Sequence, residues 1–159
     1  MLHQKQPNSW SCMAAAAATV LDMTVTDFYR VLGHDGGEIM ADGVRRGVHV
    51  QEVIDVAWEW GRWVTRVDYR PQSDGNPPWP VKFPRGEYER FKGYVKQTQG
   101  ILLCRTASGR GHAMANSLGY LYDPAPGADD FLFEEISRYN LYPFSLLIVG
   151  QRNELQRSG

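Results

Sequence analysis

The chain has 159 residues, 43% of them hydrophobic and 22% charged, which suits one globular domain with a sizeable core. Lys and Arg number 17 against 18 Asp and Glu, a formal net charge of −1 that argues against a nucleic-acid surface. The opening MLHQKQPNSW lacks an apolar signal-peptide core, and no window reaches membrane-spanning length, so a cytoplasmic protein with no membrane partner is expected.

The first element is predicted as a helix over 11–22. Ala14 to Ala18 are consecutive alanines followed by Val20 and Leu21, Ser9 and Ser11 are candidate caps, and Pro7 holds the preceding segment out of helical conformation. Cys12 then falls in the first turn, where unpaired N–H groups and the positive end of the helix dipole favour an anion. A thiol placed there ionises more easily, and the thiolate is the attacking form. A lone cysteine is otherwise a small buried hydrophobe.

A second helix follows the cap signal at Thr24, with Phe28, Val31 and Leu32 as its apolar stripe, and GHDGG (33–37) ends it. EIMADGVRRG reads as a polar loop. VHVQEVIDVAWEWG reads as a third helix, with Val50, Val53, Ile54, Ala57 and Trp58 on one face and Gly61 as its C-cap. His49, just before it, reads as a solvated or capping residue. WVTRVDY alternates like a strand. Residues 71–86 carry five prolines and two glycines, a long loop inside the domain rather than a boundary. A fourth helix over 86–100 places Tyr88, Phe91 and Val95 on one side.

Strands then dominate: GILLCRTA, GHAMANSLG, YLYDPAPG and PFSLLIVGQR, with FLFEEISRY as a short helix or an edge strand. Helices first and strands after predict an α+β domain over 1–150, with helices on one side of a mostly antiparallel sheet. A polar tail over 151–159 follows.

A nucleophilic cysteine needs a base. Of the histidines, His112 follows the sharp turn SGRG and opens a strand. Asp123 ends the next strand, eleven residues on. With a reversal near 117–119, antiparallel pairing brings the two together, so that the carboxylate holds the imidazole. Read separately, His112 is a strand histidine and Asp123 an Asp-Pro turn former. The other cysteine, Cys104 in the apolar ILLC, is expected to be inert. A Cys12–Cys104 disulfide is not expected in the cytosol. No Cys/His spacing implies a metal, and no cofactor is expected.

Together these motifs resemble the papain-like cysteine peptidases, and above all their compact bacterial branch, the C39-like leader-processing domains of bacteriocin exporters. In that superfamily a Gln six residues before the nucleophile donates to the oxyanion, the nucleophile starts the central helix, the His opens a strand, and an Asp or Asn follows on the next strand. The matching residues are Gln6, Cys12, His112 and Asp123, the last within YDPAPG, and HAMANSLGY resembles the strand after the papain histidine. Gln4 is an alternative oxyanion donor. The chain departs from the branch's Asp-Cys-Gly with Ser11-Cys12-Met13, and loop 71–86 has no counterpart in it. The resemblance implies a papain-like fold and a thiol hydrolase acting on a protein or peptide, with Trp10, Trp79 and Met114 as candidate subsite residues. Two alternatives stand beside it: an acyl- or amide-transferring effector, and a binding module without turnover on the same scaffold.

Overall fold

The computed structural model describes residues 1–70 and 82–153. In chain order it runs α1 (Cys12–Val20), α2 (Val25–Leu32), α3 (Val50–Glu59), β1 (Arg62–Asp68), α4 (Glu87–Gln97), β2 (Gln99–Thr106), β3 (Gly111–Ser117), β4 (Tyr120–Tyr122), β5 (Phe131–Leu132), a 3-10 turn (Phe133–Tyr139) and β6 (Leu141–Gln151). The strands form one sheet in the order β1-β6-β2-β3-β4-β5, every neighbouring pair antiparallel. FLFEEISRY is thus both things the sequence allowed, a two-residue edge strand running into a helical turn.

Both faces of the central strands are covered, which is why ILLC reads as an unbroken apolar run. Ile101 and Leu103 of β2, Ala113 and Ala115 of β3, and Leu147 and Val149 of β6 pack with α1, α2 and α3. The alternate residues Leu102, Cys104, Met114, Leu146 and Ile148 pack on the other face with Phe91 and Val95 of α4 and Phe133 of the 3-10 turn. Helices therefore lie on both sides of the sheet, where the order of elements predicted one. The fourth helix is separated from the first three by β1, and its apolar stripe meets the face they leave open.

Local chemistry explains the helix ends. Thr24 accepts from the Asp27 N–H at 3.0 Å, and Gly33 closes α2 in the left-handed region at φ 93°. His49 caps α3 in a reciprocal box with Glu52, whose carboxylate accepts from the His49 N–H at 2.9 Å. At α1 the Ser11 hydroxyl makes no cap bond and instead donates to the Asn8 carbonyl at 3.1 Å. Three stripe assignments are corrected. Val31 and Trp58 are exposed, Val25 and Val56 taking their places in the core, and Tyr88 is exposed beside buried Phe91 and Val95. A 3.6-residue period leaves positions at the edge of a stripe undecided.

The β3–β4 reversal falls where the spacing placed it. Leu118 and Gly119 both have positive φ (54° and 92°), a two-residue hairpin turn. Buried Asn116 holds it, accepting from the Gly119 N–H at 3.0 Å and donating to the carbonyls of Val95 and Thr98 at 2.9 and 3.0 Å.

Candidate active site

The fully buried alanines 14–18 seat α1 directly on β3 and β2. The tip of the helix thus arrives at the start of β3, and Cys12 meets His112. The His112 Nε2 lies 2.8 Å from the Asp123 Oδ1, and the Cys12 thiol is hydrogen-bonded to the same imidazole. With Nε2 on the carboxylate, Nδ1 is left for the sulfur. Asp123 is held in turn, its Oδ1 accepting from the Ala125 N–H at 3.0 Å. One oxygen of Asp123 thus both closes the Asp-Pro turn and contacts the His112 imidazole.

Electrostatics follow from this line of groups. Burial pushes the Cys12 thiol upward, but the hydrogen bond and charge of His112, with the backbone N–H groups of Ala113 and Met13, outweigh it and the net direction is down. Burial works to lower His112, yet the hydrogen bond to Asp123, the bond to Cys12 and both charges raise it to about 9. Asp123 is held below the usual carboxylate range, since His112, the Ala125 N–H and Lys5 together override its burial. Lowered thiol and raised imidazole favour the thiolate–imidazolium pair. Cys104 behaves oppositely: fully buried, it is raised well above an ordinary thiol by desolvation and by the Asp123 charge.

Two clefts flank the pair. One of about 560 Å³ is lined by Cys12, His112, Trp10, Met13, Val48 and Phe144 among others. One of about 390 Å³ is lined by Cys12, His112, Gln6, Ser9, Thr106 and Ala125 among others. Gln6 thus reaches the reacting pair. Its Nε2 donates one N–H to the Asn8 carbonyl at 2.9 Å, and among the described residues its other N–H is uncommitted and its buried Oε1 has no partner. Gln4 does not reach it. Its N–H binds the Thr19 hydroxyl at 2.9 Å, seven residues down α1 from Cys12 and so roughly 10 Å along the axis. Trp10 lines the larger cleft. Met114 is fully buried in the far-face core and lines neither cleft, which removes it as a subsite residue. Trp79 lies outside the described residues.

Sequence reasoning missed the clasp behind Asp123. Lys5 Nζ donates to the carbonyls of Asp123, Ala125 and Ala128 at 2.9, 3.2 and 3.2 Å, His3 Nε2 lies 3.1 Å from the Asp123 carbonyl, and the Gln6 N–H donates to the Pro124 carbonyl at 2.8 Å. The N-terminal segment thereby ties the Asp123 loop to the residues that lead to Cys12. Only contacts more than a hundred positions apart create it, and no local pattern announces them. Among the described residues no group of three or more His, Cys, Asp or Glu converges as metal ligands do, and no helix is long and apolar enough to cross a membrane.

No protein-family model and no curated protein matches this chain. Solved structures do match it. One is a double-glycine-motif protease from an AMS/PCAT transporter, in complex with its leader peptide. It aligns over 92% of this chain and 89% of its own, at TM-score 0.53 and 20% identity. Another is the peptidase domain of Streptococcus ComA, a bifunctional ABC transporter of a quorum-sensing pathway. It aligns over 93% of this chain and 96% of its own, at TM-score 0.55 and 11% identity. The fold is the papain-like one of these compact peptidase domains.

Proposed function

We propose that this chain is a cysteine peptidase that cleaves a peptide or isopeptide bond through a Cys12–His112–Asp123 triad and an acyl-enzyme. The observation that carries the reading is the hydrogen-bonded line from Asp123 through His112 to Cys12, set between two clefts with the thiol biased toward thiolate. Cys12 sulfur attacks the carbonyl carbon and the carbonyl becomes an oxyanion. His112 as imidazolium delivers its proton to the leaving nitrogen, the C–N bond breaks and a thioester remains. His112, now neutral, takes a proton from water, whose oxygen displaces the thiolate and frees the acid. Asp123 fixes the ring and stabilises its charged form. The free N–H of the Gln6 amide and the Cys12 backbone N–H receive the oxyanion.

A peptide substrate is supported by the fold neighbour solved with a leader peptide, and the two clefts offer seats on either side of the scissile bond, Trp10 among them. We place the chain in a reducing compartment, where Cys12 and Cys104 stay thiols. The test is to incubate wild type and Cys12→Ala with a cell lysate and sequence the new protein N-termini. Termini that appear only with the wild type are expected. Identical termini in both samples, with no isopeptide-linked conjugate lost only in the presence of the wild type, would overturn the peptidase reading.

A further inference from the structure

The larger cleft is charged in one sense only. Arg45, Arg46, Arg66 and Arg110 line it and, among the described residues, no Asp or Glu does, in a chain whose formal net charge is −1; Arg110 also lines the smaller cleft. The four are not equally committed. Arg46 pairs with Glu52 at 3.0 Å and Arg66 with Asp68 at 2.9 Å. Arg45 donates to the Gly37 carbonyl at 2.6 Å and stacks 4.9 Å from the Trp10 ring centre, with no carboxylate partner among the described residues. Arg110 is exposed in the β2–β3 turn; its backbone N–H donates to the Thr106 hydroxyl at 3.2 Å and its carbonyl accepts from the Thr106 N–H at 2.8 Å, while among the described residues its guanidinium has no partner.

Nearby carboxylates do not fill this gap. Asp35 and Asp42 accept from the backbone N–H groups of Gly37 and Val44 at 2.8 and 3.0 Å. Glu38 faces a separate hollow with His34. The loop bearing Arg45 is also held in place. Gly47 donates to the Gly36 carbonyl at 2.8 Å, in a contact so close that a Cβ on Gly36 would sit 2.7 Å from the Gly47 carbonyl. Glu52, anchored at the start of α3, binds both His34 and Arg46. Arg45 is therefore presented from a closed loop and Arg110 from a tight turn, both lining the cleft that holds Cys12.

We propose that the cleft selects peptides with an acidic side chain beside the scissile bond, read by Arg110 with Arg45; the substrate class rests on the peptidase reading above. A guanidinium covered by substrate is stabilised by a carboxylate, with which it forms paired charge-assisted hydrogen bonds. A Lys or Arg at that position would instead meet the like charges of Arg45 and Arg110, since Arg46 and Arg66 are already paired with Glu52 and Asp68, which discriminates by repulsion. The apolar walls at Trp10, Val44 and Phe144 exclude water and sharpen both effects.

The test uses a decapeptide library acetylated and amidated at its ends, and a matched library with free C-termini. Cleavage sites are read for wild type, Arg110→Gln and Arg110→Glu, and retention is read on Cys12→Ala. Wild type should enrich Asp or Glu at one position next to the cut by roughly tenfold or more, the effect of one charge-assisted hydrogen bond. Arg110→Gln should reduce that enrichment, Arg110→Glu should turn it toward Lys and Arg, and Cys12→Ala should retain acidic peptides. Cleavage without acidic enrichment, enrichment unchanged in both Arg110 variants, or selection confined to free C-termini would overturn the inference and leave the peptidase reading standing. Acidic peptides retained by Cys12→Ala, with no cleavage by the wild type, would sustain the acidic selection and sink the peptidase reading.

Discussion

Replacing Asp123 by Asn removes the charge behind His112 while keeping a side chain that can hydrogen-bond. His112 stands at about 9 against an ordinary 6.5, a preference for the imidazolium of roughly 3 kcal/mol. Asp123 is the leading cause that raises it, so in Asp123→Asn the imidazole should fall most of the way back toward 6.5. Cys12 would then lose part of its cationic partner, and its own pKa should rise. The pair titrates as a unit, so the readout is the profile and not one residue. Alkylation of the wild type by iodoacetamide, followed by intact mass from pH 5 to 10.5, should show a thiolate–imidazolium plateau ending in an inflection near 9. In Asp123→Asn that plateau should shrink or vanish. Stability gives a second check. The folded value of His112 exceeds the unfolded one, so its contribution is complete below about 6.5 and lost as pH rises through about 9. Asp123 is depressed, so its share is present above 3.8 and lost as pH falls through the lower folded value. The substitution should therefore lower Tm more at pH 5.5 than at pH 10. An unchanged inflection near 9 in Asp123→Asn would refute the electrostatic account of the site.

Gln6→Ala should lower kcat about 10²–10³-fold, some 2.7–4 kcal/mol of transition-state stabilisation, with KM little changed; a pure KM effect would place Gln6 in substrate binding instead. In native protein iodoacetamide should modify Cys12 and spare Cys104, which should label only after unfolding in urea; peptide mapping decides this, and early labelling of Cys104 would contradict its burial. Asn116→Leu should cost about 2–4 kcal/mol in urea unfolding, since it strands the Val95 carbonyl and the Gly119 N–H, while the Thr98 carbonyl keeps the Leu118 N–H. Gly100→Ala should destabilise by at least about 1–3 kcal/mol, because its Cβ would fall 2.0 Å from the Leu147 carbonyl oxygen on β6.

Much of the fold was legible because its signals are local. The alanine run, the Thr24 and His49 caps, the alternation of β1 and the turn at Leu118–Gly119 each act within a few residues. What stayed hidden depends on partners far along the chain. Whether α4 joins α1 to α3 or takes the opposite face is decided by β1 crossing between them, and nothing inside residues 87–97 encodes it. Met114 was a candidate subsite residue with no local signal behind it, and at full burial the strand's far-face core claims it. The Lys5 clasp on the Asp123 loop was invisible for the same reason. Gln6 and Gln4 were separable only once the Gln4 N–H was seen on Thr19.

The alanine run links the most legible feature of the sequence to the chemistry. Ala14 to Ala18 are at most 1% exposed, and they face Ala113 and Ala115, at 2% and 0%. Small side chains on both surfaces allow helix and strand to approach closely, at the cost of apolar area that larger residues would bury. The return on that sacrifice is geometric. Cys12 is hydrogen-bonded by the N–H of Ala113, the residue next to His112, so the same approach that packs the core brings sulfur and imidazole into contact. A bulkier interface would stabilise the domain through greater burial while lifting the helix tip away from the strand. The composition of α1 is therefore better explained by the placement of its first residue than by stability alone.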